Sequence, residues 1–185
     1  CVVIDSANSS LQFTWTIHPD GRLNLAYRYQ LDQAAPFHGL TFDLPEKEIR
    51  QLEWLGQGPR RVWRNRMRGT RFGRFEIPFK TLTPGQQFDY PHARGYFAGF
   101  HQATIATSSG RIEITPHQES TSLRLGTNNE GERIRTYWPE GDLSILHGIP
   151  AIGTKFKPPE ALGPQSQFNP APGIVEGKVT FRILP

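Results

Sequence analysis

Strict alternation of apolar and polar residues around a tight-turn sequence constrains this chain more than any other feature. Leu11, Phe13, Trp15 and Ile17 share one face, with Gln12, Thr14, Thr16 and His18 on the other. Pro19-Asp20-Gly21 follows, where proline presets φ and glycine accepts a positive φ. Leu23, Leu25, Tyr27, Tyr29 and Leu31 then alternate with Asn24, Ala26, Arg28 and Gln30. Two period-2 runs about such a turn predict a β-hairpin with one wet face. Further strands are expected at 49–55, 103–107, 111–115, 121–125, 133–138 and 178–184. Ser108-Ser109-Gly110 and Asn128-Asn129-Glu130-Gly131 suit tight hairpin connections.

No segment keeps a 3.6-residue period over twelve or more residues. Glycine (18) and proline (16) make up 34 of 185 residues, above an average near ~12 %. That excess opposes a helical bundle and favours short strands joined by turns. The expected fold is all-β, a sandwich of antiparallel sheets. Residues 11–185 are expected to form one domain, with 1–10 as a leader or interdomain segment. Two stretches, 56–100 and 148–173, break the pattern. The second holds six prolines and is bracketed by the final strand, so it reads as an excursion from the sheet.

No apolar run approaches the ~18 residues of a membrane span. Cys1 is the only cysteine, which excludes an internal disulfide and a thiolate zinc site. The chain starts without Met or a signal-peptide pattern, so it reads as a processed or excised segment. A lipid on Cys1 is disfavoured because Val2 and Val3 make a poor solvated tether. The compartment reading leans to the periplasm or export.

Seven arginines fall in fifteen residues: Arg60, Arg61, Arg64, Arg66, Arg68, Arg71 and Arg74, with no acid between Glu53 and Glu76. Guanidinium forks pair bidentately with carboxylates, which suits docking onto an acidic partner or neighbouring domain. Ion pairs within the same domain are the alternative. Trp63, Phe72 and Phe75 are interleaved, yet no nucleic-acid recognition motif accompanies them, so nucleic acid is not the expected partner. The six histidines lack metal-ligand spacing, and no metal or other cofactor is expected. Tyr90, Tyr96, Phe97 and Trp138 are candidate rings for stacking on an apolar ligand face, although core packing is the commoner fate of such residues. No nucleophile elbow, phosphate loop or dinucleotide fingerprint occurs. Glu130, Glu132, Glu140 and Asp142 flank turn glycines as solvated acids do, so no catalytic pair is expected here.

Leu52-Glu53-Trp54-Leu55-Gly56-Gln57-Gly58-Pro59 resembles the Trp-(Phe/Tyr/Leu)-Gly-Xaa-Gly-Pro segment of the C-terminal β domain, or small chain, of β-galactosidases of glycoside hydrolase family 2. Gly73-Arg74-Phe75 is similar to the close of that segment. The hairpin from Phe13 to Leu23 looks like the family's first strands, and residues 141–148 like its final loop region. The resemblance spans roughly residues 11–185. It implies a supersandwich like that of galactose mutarotases, packed beside a (β/α)₈ barrel that holds both catalytic glutamates. The chain would then be non-catalytic, buttressing the barrel and lending a loop to the sugar pocket. The partners implied are that catalytic barrel and carbohydrate. Pocket-wall residues are sought in 138–157, with Leu143, His147, Lys155 and Phe156 as candidates. Arg60, Arg61, Arg64 and Arg66 would dock the domain. The family's Glu after Gly-Pro is Arg60 here and its Asp before Arg is Asn65, so an acidic loop has become basic. A stand-alone carbohydrate-binding module is the alternative function, and a small self-sufficient hydrolase or epimerase on the same sandwich also stays open.

Overall fold

The computed structural model describes residues 1–7, 11–79, 95–126 and 136–185. Eleven strands lie in them: β1 (Val2–Ala7), β2 (Leu11–Ile17), β3 (Arg22–Leu31), β4 (His38–Phe42), β5 (Ile49–Gly58), β6 (Arg71–Pro78), β7 (Gln102–Thr107), β8 (Arg111–Pro116), β9 (Ser122–Leu125), β10 (Leu143–Gly148) and β11 (Gly173–Leu184). Eight form one antiparallel sheet in the order β1-β2-β3-β11-β8-β7-β5-β6, and three form a second in the order β4-β10-β9. The protein is all-β, a two-sheet antiparallel sandwich.

The alternation read from the sequence sets the core. Leu23, Leu25, Tyr27 and Tyr29 of β3 face inward beside Phe181, Val179, Gly177 and Val175 of β11, their register partners. On the far side Leu52 and Trp54 of β5 meet Ile105 and Ala103 of β7 and Ile77 and Phe75 of β6. Leu123, Leu125, Leu143 and Ile145 of the small sheet close this core from above. The other face of the large sheet carries Thr14, Asn24, Arg28, Glu113, Thr115, Lys178 and Thr180 and meets solvent. Fully burying one such aliphatic chain stabilises by roughly 1.5–3 kcal/mol, so the inward set dominates the energetics.

The turn after β2 forms as expected. Gly21 adopts φ +81°, His18 N donates to Arg22 O at 2.9 Å, and the Asp20 carboxylate accepts from Arg22 N and Nε. Ser108–Gly110 likewise joins β7 to β8. The expected connection at 128–131 and residues 133–135 of the expected strand lie outside the described residues, while 136–138 have no strand structure.

The small sheet is covered on both faces, which the alternation rule does not anticipate. Leu143 and Ile145 point into the main core, whereas Leu146 joins a second cluster of Val62, Trp63, Tyr96, Ala98, Ile149 and Ile152. That cluster comes from the two irregular stretches, which fold back as a third layer. Two strands run through regions set apart in the sequence reading. Residues 2–7 pair with β2 as an edge strand, and residues 71–78 pair with β5. The two edges differ: β6 carries Arg71, Arg74 and Pro78, whereas β1 leaves Val2, Val3 and Ile4 at least half exposed. No helix among the described residues is long and apolar enough to cross a membrane.

Candidate functional site

Two places gather polar chemistry, a seam between the sheets and a basic groove on the third layer. The seam is made of rings. Tyr27 and Tyr29 stand two apart on β3, so both project inward and stack, with centroids 6.3 Å apart. His38 of β4 and His147 of β10 face them from the small sheet, their rings 6.1 Å apart. Tyr27 Oη lies 2.6 Å from His147 Nε2 and Tyr29 Oη lies 2.9 Å from His38 Nδ1.

Burial sets the charge state of this seam. It pushes the Tyr27 hydroxyl up to about 12, and raises Tyr29 as well, with Tyr27 adding to the effect. Burial also lowers His38 and His147, the latter further through His38. Both phenols therefore keep their protons and both imidazoles stay neutral at pH 7, with the tautomer of each ring setting which partner donates. Two glycines make room: a Cβ on Gly177 would meet Tyr27 Oη at 2.2 Å, and one on Gly148 would meet His38 Cδ2 at 2.6 Å. The seam is a polar joint between layers.

The groove begins with a hairpin of the arginine loop. Trp63 N and O pair with Arg66 O and N, leaving Arg64-Asn65 as its tip. Trp63 points inward against Tyr96 (5.2 Å) and Trp138 (4.8 Å), both edge-on. Asn65 holds the tip down. Its Nδ2 donates to Ile152 O at 2.9 Å and Ser166 Oγ at 2.8 Å, and its Oδ1 accepts from Ile152 N at 3.0 Å. Arg64 N donates to Pro150 O at 3.0 Å. A carboxylate at position 65 would accept but not donate, so Asn fits these partners better than the Asp of the resemblance. The hairpin and the arm at 164–165 enclose an open hollow of about 800 Å³.

The sequence-selected residues scatter across this structure. Leu143 is not on a late loop but within β10, 4 % exposed and part of the core, so it walls no open pocket. His147 sits in the ring seam. Lys155 and Phe156 are exposed, the ammonium 5.7 Å from the ring centroid, and Phe156 is 79 % exposed. Tyr96 and Phe97 are both fully buried. The bridges Val62 to Tyr96 and Phe97 to Leu123 thread that segment between layers, which takes both rings away from any sugar face. Tyr90 lies outside the described residues. Trp138 is partly exposed at the margin of the second cluster. Arg60 and Arg66 are exposed, Arg64 is partly buried, and Arg61 lies 5.8 Å over the Phe97 ring.

Sequence reasoning missed Arg124. It is 3 % exposed, and donates to Ser144 Oγ at 3.0 Å and to the carbonyls of Gly126, Glu140 and Gly141. Its pKa is lowered by burial, with Tyr96 and Asp142 opposing that shift. It pins the 140–142 turn to the small sheet. No signal in Leu123-Arg124-Leu125 marks it, since an outward arginine gives the same pattern. Among the described residues no group of three or more His, Cys, Asp or Glu side chains gathers as a metal site.

Residues 2–128 match the family described as beta galactosidase small chain. The chain belongs to that family. The small-chain match takes in β1 to β9 and the arginine hairpin, and it implies a larger parent enzyme. No curated protein matches this small-chain sequence.

Proposed function

We propose that this small-chain domain is a non-catalytic part of a family 2 β-galactosidase-like glycoside hydrolase, where it buttresses the catalytic barrel and lends a surface to the sugar pocket. The observation that carries the reading is the family match over residues 2–128. The arginine loop supports it, because exposed guanidinium groups such as Arg60 orient a carboxylate-bearing neighbour by paired hydrogen bonds. The third layer supports it too. A proline-rich segment pinned to the small sheet offers a preformed surface and needs little ordering on contact. His147 serves as part of the joint that holds this surface. Lys155 and Phe156, at the exposed crest of the segment, are the pocket-wall residues retained from the sequence reading.

The test is a comparison of the parent enzyme with and without this domain. The purified 185-residue chain is expected to leave an aryl galactoside intact, and the truncated parent to lose turnover that the added domain restores. Changing the exposed Arg60 to Ala is expected to weaken that reassociation. Turnover by the isolated chain would overturn the reading, as would full activity of the truncated parent.

A further inference from the structure

We infer that the groove between the arginine hairpin and the arm at 164–165 is a binding site for an anionic saccharide, one bearing carboxylate or sulfate groups. The inference rests on the reading of the chain as part of a sugar-processing enzyme and adds the charge of the substrate. The hollow measures about 800 Å³ and is lined by Arg64, Arg66, Met67, Arg68, Pro164 and Gln165 beside the clamping Asn65. That volume lies within the roughly 300–1,000 Å³ of small-molecule sites.

Charge is the first argument. Arg74 of the same loop is ion-paired with Glu53, whereas Arg64, Arg66 and Arg68 form no ion pair among the described residues. Glu160 is the one acid in 153–172, and it interacts with the Tyr137 side chain. The second argument is an unmet donor. Arg64 Nη1 is buried without a hydrogen-bond partner. A buried charged donor left unsatisfied is costly, and Arg64 also lines the hollow, so a shift of its guanidinium on binding would bring that donor onto an anion seated there. Shape is the third. Met67 and Pro164 offer apolar surface to the C–H face of a pyranose, and the Gln165 amide both donates and accepts for hydroxyls. The Asn65 clamp holds the hairpin tip before any ligand arrives, so little ordering is needed on binding.

The test is calorimetric titration of the intact protein that carries this chain. The probes are tetragalacturonate, its methyl-esterified counterpart, a sulfated tetrasaccharide and a Glu-rich peptide of equal charge. The charged saccharides are expected to bind at least about tenfold tighter than the ester, with affinity falling as salt rises. The carboxylate and sulfate arms show which anion the groove prefers. Arg66→Glu and Arg68→Glu are at exposed positions and should fold, and each is expected to lower affinity about tenfold or more. Arg64→Gln should do the same with no fall in the thermal midpoint. Equal affinity for the ester, tighter binding of the peptide, or binding untouched by these substitutions would overturn the inference, as would no binding at millimolar concentration. Reassociation with the catalytic part is scored separately. Lost sugar binding with intact reassociation sinks the groove alone, and lost reassociation with intact sugar binding sinks the buttress alone.

Discussion

Removing the Asn65 carboxamide tests whether the arginine hairpin and the proline-rich segment form one unit. Three hydrogen bonds depend on that side chain, at 2.8, 2.9 and 3.0 Å, to Ser166 and to both backbone groups of Ile152. Each contributes about 0.5–1.5 kcal/mol net, so their sum is about 1.5–4.5 kcal/mol. Ile152 and Ser166 are each 4 % exposed, and water replaces the lost partners poorly there. Asn65 itself is partly exposed, which trims the upper end. Asn65→Ala is expected to cost about 2–3 kcal/mol. For a chain of this size that lowers the thermal midpoint by about 4–12 °C, at roughly 2–4 °C per kcal/mol. Urea denaturation gives the free energy, and limited proteolysis shows where the chain opens, with faster cutting expected in 153–163. Asn65→Asp refines the test. Its carboxylate can still accept from Ile152 N and Ser166 Oγ but faces the Ile152 carbonyl, so it should fall between wild type and Ala. A loss under about 0.5 kcal/mol for the Ala variant, with cutting unchanged, would refute the clamp.

The ring seam should make stability depend on pH. His38 and His147 have folded pKa values below the usual histidine value, so the unfolded chain takes up protons first as pH falls. Stability is then complete above about pH 6.5 and declines below it until the folded values are reached, by at most about 1.4 kcal/mol per pH unit for each histidine. Urea midpoints between pH 8 and 5 measure this; His147→Gln should flatten the decline, and a flat wild-type profile would contradict it. Arg124→Met should cost about 2–4 kcal/mol, since Ser144 Oγ and three carbonyls lose their donor; an unchanged denaturation midpoint would contradict the pinning role.

The strands legible in the sequence are those with one wet face. β2 and β3 alternate because water touches Gln12, Thr14 and Arg28 while the core takes Phe13, Leu25 and Tyr27. β10 was illegible because Leu143-Ser144-Ile145-Leu146 is buried on both sides, which erases the period. β6 hides its inward Phe75 and Ile77 among arginines, and β4 is five residues with a glycine inside. At the candidate site the charge of the arginine loop was plain. Its shape was not, because the groove's second wall arrives from a hundred residues later in the chain. The fate of Tyr96 and Phe97 was equally closed to inspection. An aromatic in a glycine-rich loop has the same neighbours in sequence whether it stacks on a ligand or is threaded between sheets.

The covered small sheet has a consequence for how this molecule can diversify. Its outer lid is fastened at one end through Asn65 and at the other through Asn169, which donates to the carbonyls of Pro36 and Ile149. A strap anchored twice can be lengthened, shortened or rewritten between its buckles at little thermodynamic expense, because closing a longer loop adds only about 0.6 kcal/mol per doubling. Variation should therefore accumulate at 153–163, beside the groove, while the two asparagines hold the frame.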